Sequence, residues 1–370
     1  MRALEITVDE VRESLRDYFT RTPGLVEVRG NRDQADSVPA PRGFDAGTWR
    51  LVAEQLGLIG LGAPEVWGGL GLDLPVLAAA AEECASSLYP GPVRASLVIS
   101  AFLGTVDPDS RPVELVALID RFLSGQAIAG LATGQPATGV PRYDGERVSG
   151  AFVAVTNGTC ADLLIGEVDT AAGRAVALVD TSAGGTVRVP VRGIDLVTPI
   201  AGVEVTEAPA ILVATDDDVE CFRRISALLL AAEQVGGAEG ALAGMVEYAK
   251  VREQFGTLIG THQAIAHRCA DTAVAITGAR ALVTATAEAE ASGNTAESAQ
   301  LVLLARAEAA EVFVAASDSY IQVSGGIGFT WEHDAHLYFR RARGTAAVGG
   351  TPAALRDQAV QVGCLDLIRT

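Results

Sequence analysis

The period of hydrophobic positions changes twice along the chain, and each change marks a predicted domain boundary. Over 7–20, 46–56, 74–87 and 94–105 apolar residues recur at helical spacing, with stretches such as "GLGAPEVWGGLGL" as punctuation, which predicts helices and a helical domain over 1–115. From about 126 to 214 the texture shifts to short Val, Ile, Thr and Leu runs ("RVSGAFVAVTNG", "ADLLIGEV", "RAVALVD", "TVRVPV", "AILVA") broken by Gly, Asp and Pro. That pattern predicts a small β-barrel or sandwich over 116–214. After "TDDD", whose carboxylates suit a helix N-terminus, alanine-rich helical pattern fills 219–252, 262–291, 295–324 and 333–345. These lengths suit an antiparallel four-helix bundle over 215–370, so the predicted fold class is α+β with three domains.

Composition narrows the partners. With 28 Lys and Arg against 46 Asp and Glu, the formal charge is -18, which opposes approach to nucleic acid or an anionic membrane and confines any anion site to a local patch. Five scattered cysteines (Cys84, Cys160, Cys221, Cys269, Cys364) show no metal-ligand spacing, so reduced thiols in a cytoplasm are expected. "MRALEITVDEVRESLRDYF" is an amphipathic helix pattern without an apolar signal core, and no long apolar run predicts a membrane span. His333 and His336 could share a helix face, but nothing supplies a third metal ligand at suitable spacing, so packing is their expected role; His267 and Arg268 are likewise expected to serve packing and surface charge.

Three segments carry chemistry. They are "WRLVAEQLGLIGLGAPEVWGGLGLDLPVLAAAAEECA", "YAKVREQFGTLIGTHQAIAHRCAD" and "IQVSGGIGFTWEHDAHLYFRRAR". Together with the domain order they resemble the signatures of the acyl-CoA dehydrogenases. The resemblance implies FAD as cofactor and an acyl-CoA thioester as substrate, with electrons passed on to an electron-transfer flavoprotein. It also implies that the Arg-x-x-Phe-Gly segment of one subunit reaches the diphosphate and adenine end of a flavin held mainly by its neighbour. Arg252 is then the diphosphate contact, since a guanidinium fork matches phosphate oxygens bidentately. Gln254 and Gln263 offer amide donors, Phe255 offers a ring face, and the turn from Gln322 through Gly325 and Gly326 brings backbone close. Taken alone, Arg252 would be an exposed charge and Phe255 core filler.

The same resemblance exposes losses. Relatives remove the α-proton with a glutamate at one of two positions, which here are Gly349 in "AVGGTPAAL" and Ser226 in "FRRISALLLAAEQVG"; neither is a carboxylate. The Thr-Glu-Pro and Gly-Ser-Asp motifs that serve the flavin ring edge are not recognisable in "LATGQPATGVPRYDG". Of the Trp-Ile-Thr-Asn motif beside the ring, only Thr156 and Asn157 persist. The pattern resembles the subunit that lacks the glutamate in α2β2 bacterial acyl-CoA dehydrogenases, notably those shortening steroid side chains, which completes the flavin site of a homologous catalytic subunit. Two alternatives stand beside it: a homodimeric enzyme with a relocated base at Glu233, two helical turns beyond Ser226, and a cofactor-free scaffold.

Overall fold

The computed structural model describes residues 6–22, 24–33, 43–109, 112–134, 139–216 and 218–364. Among these, the chain opens with helices α1 (Val8–Arg21), α2 (Leu25–Asp33), α3 (Ala46–Gln55), α4 (Leu74–Ser86), α5 (Val93–Phe102) and α6 (Val113–Leu123). Helix α1 starts on a capping box, in which the Thr7 hydroxyl accepts from the Glu10 N–H while the Glu10 carboxylate accepts from the Thr7 N–H. Two of these helices, α2 and α6, were not expected from the pattern. Helix α6 buries Leu115, Leu118, Ile119 and Phe122 along one stripe and runs across the expected boundary at 115.

Seven strands follow: β1 (Ala129–Gly134), β2 (Arg142–Tyr143), β3 (Arg147–Thr156), β4 (Leu163–Asp169), β5 (Arg174–Asp180), β6 (Thr186–Val191) and β7 (Ile200–Thr215). The pairings β1–β3, β3–β7, β7–β5, β5–β4 and β4–β1 return to their starting strand, so the middle domain closes as a barrel. Its interior is a separate apolar core containing Phe152, Leu164, Val179, Val203 and Val205. Strand β6 pairs outside the ring along β7.

The C-terminal part consists of α7 (Asp218–Val251), a hairpin of β8 (Glu253–Gln254) and β9 (Thr257–Leu258), then α8 (Gln263–Ala291), α9 (Thr295–Ser324), α10 (Ala335–Thr345) and α11 (Pro352–Gln361). The long helices match their predicted spans. Position four of the bundle is shared by the short α10 and the unexpected α11, both packed on α9. Helix α4 also packs on α7 and α8. It can do so because Gly236 and Gly240, one turn apart on α7, lie against the Glu82 and Ser86 carbonyls, where any Cβ would collide. The buried Glu82 pairs with Arg12 at 2.7 Å and Arg280 at 3.1 Å, and Glu83 with Arg16 at 2.7 Å. These pairs tie α1, α4 and α8 into one layer.

Candidate functional site: a cationic cavity and an exposed bundle end

A cavity of about 580 Å³ lies between the barrel and the bundle, lined by the end of β1, by Phe152 of β3, by one face of α7, by α9, and by the loop and helix after α10. Both expected base positions line it. The Ser226 hydroxyl is buried and has no protein partner, whereas Gly349 has φ +75° and open space where a Cβ would stand. Two positions more than a hundred residues apart in sequence thus meet at one cavity, and neither brings a carboxylate.

The charge around this cavity is positive but unevenly balanced. Toward the outside, Arg223 forks onto Glu167 at 2.8 and 2.6 Å, and Arg174 adds a contact to the same carboxylate at 3.2 Å. Partial burial pulls the Glu167 carboxyl up, but the two guanidiniums outweigh it and hold it below the usual range. Arg224 is likewise gripped by Glu290 at 2.7 and 2.8 Å. Deeper in, Arg306 is only 2% exposed and donates to Gln234 Oε1 and, at 2.9 Å, to the Val348 carbonyl, both neutral acceptors. Arg94, 7% exposed, donates through Nε to Glu233 at 3.0 Å, while its Nη1 has no protein partner. Burial, then repulsion from Arg341, pushes the Arg94 guanidinium down to about 9. Burial, then Arg94, does the same to Arg306, also to about 9, so both remain charged at neutral pH. Sequence reasoning passed over Arg94 and Arg306. Their signal was a lone arginine inside each of the apolar runs "VRASLVIS" and "LLARAEAA".

Glu233 does not share the large cavity with Ser226. It is clamped between Arg94 and Arg341, and Arg341 also binds Asp195 at 2.5 Å. Arg94, Glu233 and Arg341 line a second cavity of about 20 Å³ together with Thr156 and Asn157. Thr156 does not offer its hydroxyl to a ligand there; it donates to the Leu131 carbonyl at 3.3 Å. Twenty cubic ångströms holds about one water. That cavity is therefore too small by itself to hold a flavin ring. Part of the altered ring-edge motif, residues 135–138, lies outside the described residues.

The residues expected to serve a neighbour's dinucleotide collect at one end of the bundle. The His333 ring stands edge-on to Tyr248 of α7 at 5.5 Å and Tyr320 of α9 at 5.4 Å, which stitches the last turns of both helices together. His333 thus packs, as does His336 against Trp331, and no metal cluster occurs among the described residues. Just beyond those turns Arg252 is exposed and makes no ion pair among the described residues, while its carbonyl accepts from the Ile259 N–H at 2.8 Å. Phe255, 96% exposed with φ 54°, tips the hairpin, and Gln254 is exposed beside it. Gln263 opens α8, and Gln322 sits on the last turn of α9, both exposed. Gly325 caps α9 with φ +66°. The expected close approach at Gly325 and Gly326 is not made within the chain, since a Cβ at either would meet nothing within 4 Å. Arg268 contributes to packing through Ser319 at 3.4 Å.

Known proteins agree with this architecture. A family profile described as "Acyl-CoA dehydrogenase, C-terminal domain" matches residues 224–362. The solved "ChsE4-ChsE5 complex from Mycobacterium tuberculosis" superposes with a TM-score of 0.80 at 25% identity, over 95% of this chain and 96% of that one. Acyl-CoA dehydrogenase FadE34 of Mycobacterium tuberculosis is 37% identical over 85% of this chain, which spans only 43% of that relative. Acyl-CoA dehydrogenase IpdE2 of the same organism is 32% identical over 92% of both chains, and on that full-length likeness the chain belongs to the acyl-CoA dehydrogenase family.

Proposed function

We propose that this chain is the subunit without the catalytic base in a heteromeric, FAD-dependent acyl-CoA dehydrogenase, and that it completes the flavin site of a homologous catalytic subunit. One observation carries the reading: Ser226 and Gly349, at the two expected base positions, line one cavity without a carboxylate between them, and the buried guanidiniums of Arg94 and Arg306 line it too. α,β-Desaturation of the acyl-CoA, from a steroid side chain or a fatty acid, then takes place on the partner, and electrons leave to an electron-transfer flavoprotein. The partner is supported by the exposed end of the bundle, where Phe255, Phe329 and Trp331 are 96%, 78% and 50% exposed around Arg252 and the glycine turn. A solved relative that is itself a complex of two differently named chains fits the same reading. The relocated-base alternative is disfavoured by the double arginine clamp on Glu233.

The experiment is co-expression with a homologous catalytic subunit, followed by the FAD-to-protein absorbance ratio after gel filtration. Truncating one partner of a desolvated charge pair costs about 2 to 5 kcal/mol, so Arg252→Ala is expected to lower flavin occupancy by more than roughly tenfold at fixed FAD, in an assembly of unchanged size. Arg252→Lys keeps the charge without the fork and retains part of the cofactor. Full flavin stoichiometry in Arg252→Ala overturns the role given to this segment.

A further inference from the structure

The interior of the large cavity holds more positive charge than the protein answers. Arg94 and Arg306 line it, and Arg341 stands behind Arg94 on the shared Glu233; with Asp195, the other carboxylate bound to Arg341, three guanidiniums stand against two carboxylates among the described residues. The unanswered charge is Arg306, whose bonds go to an amide and a backbone carbonyl. An uncompensated buried cation is expensive, and nearby buried donors left without acceptors add to that cost. Two such donors line the same cavity, Arg94 Nη1 and Ser226 Oγ. The outer arginines do not share this excess, because Arg223 pairs with Glu167 and Glu220, Arg174 with Glu167 and Asp169, and Arg224 with Glu290.

We propose that this cavity is a binding site for an apolar monocarboxylate, whose carboxylate lies among Arg94, Arg306 and Ser226 and whose apolar body lies along Phe152, Leu230 and Val302. A volume of about 580 Å³ falls within the range of small-molecule sites. The chemistry excludes the simpler ligands. A free phosphate answers the charge but leaves the apolar walls wet, whereas an alcohol or a thioester fills the walls but brings no negative charge to Arg306. In relatives the protein brings the carboxylate and the ligand is neutral at that point; here the two roles are exchanged. The inference uses only this chain's residues and stands apart from the assignment of a flavin-bearing partner.

Titration calorimetry of the full chain, without partner or flavin, tests it with three probes: decanoate, decanol and inorganic phosphate. Decanoate is expected to bind at least roughly tenfold more tightly than decanol or phosphate, the difference that a charge-assisted pair supplies. Arg306→Gln is expected to abolish that preference while leaving decanol binding unchanged. Ser226→Glu places a carboxylate where the ligand's would lie and is expected to remove decanoate binding, which keeps the test decisive if Arg306→Gln does not fold. Equal affinity for decanol and decanoate, no saturable decanoate binding to the wild-type chain, or undiminished decanoate binding by Ser226→Glu overturns the proposal. Loss of the Arg252-dependent flavin in the co-expressed complex would leave these outcomes untouched.

Discussion

Arg94 Nε donates to Glu233 Oε2 at 3.0 Å, and Arg94 is the residue that lines both the large cationic cavity and the small one beneath Thr156. The bond fixes the orientation of a side chain that is otherwise orphaned at Nη1. It also makes Glu233 a structural counter-charge rather than a free carboxylate. Glu233→Gln is therefore expected to destabilise the fold by about 3 to 5 kcal/mol, since it strands part of the charge on Arg94 and Arg341. The denaturant midpoint checks this. A midpoint unchanged from wild type, accompanied by loss of a turnover the wild-type chain possessed, would instead mark Glu233 as a base.

The second expectation concerns autonomy. With no carboxylate at Ser226 or Gly349, and with room for about one water beside Thr156 and Asn157, the isolated chain should show no acyl-CoA dehydrogenase turnover with a dye acceptor, even with added FAD. Steady turnover by a homogeneous preparation of this chain alone would contradict it.

Gly349→Glu sharpens that point. The position has φ +75°, so a side chain there costs about 1 to 2 kcal/mol in backbone strain, yet its Cβ would enter open space at the cavity wall. The variant is expected to fold with a modestly lowered midpoint and to remain inactive alone, because the cavity beside Thr156 is still too small by itself for a flavin ring. Gain of turnover in this single variant would show that only the base was missing.

How much of this could be read beforehand depended on range. The long helices α7, α8 and α9 were legible because uninterrupted alanine-rich pattern and the Phe255-Gly256 break define them locally. Helix α2 was not, since "LVEVRGNRD" is short, largely polar and carries a glycine. Closure of the barrel depends on the parallel β1–β4 pairing, which no local pattern announces. The site divided in the same way. Segments with contiguous motifs placed Arg252 and Gln322 at one end of the bundle, whereas the cation cluster assembles Arg94, Arg306 and Arg341 from α5, α9 and α10. Only the third dimension shows that their carboxylates are too few.

Acid should loosen the join between barrel and bundle. Glu167, on β4, stands below its ordinary value because Arg223 of α7 and Arg174 of β5 outweigh its burial. A carboxyl with a depressed folded value contributes stability that is present above its unfolded value near 4.5 and is lost as pH falls through the folded one. Glu290, held down by Arg224 and Ser298 against its burial, adds to the same window. Stability measured by denaturant titration should therefore decline as pH drops below about 4.5, and Arg223→Met should flatten that decline. An identical pH slope in the variant would remove Glu167 as its source.

Phe255 carries the last expectation because two of its properties conflict within the chain. A ring that is 96% exposed gains nothing from burial, and φ 54° places a bulky residue where glycine is at ease. Neither feature favours folding of the isolated chain and the backbone angle opposes it, which points to a use in what the hairpin tip touches. Phe255→Gly relieves the backbone, worth about 1 kcal/mol or somewhat more, and is expected to leave the lone chain as stable as wild type or slightly more so. In the assembled complex the same substitution removes an aromatic anchor, where truncations cost about 2 kcal/mol or more. Sedimentation of the co-expressed assembly should then show a dissociation constant raised by roughly tenfold or more, with flavin released in parallel. A variant that loses stability as a lone chain while assembling normally would place Phe255 in the chain's own packing and refute this account of the hairpin.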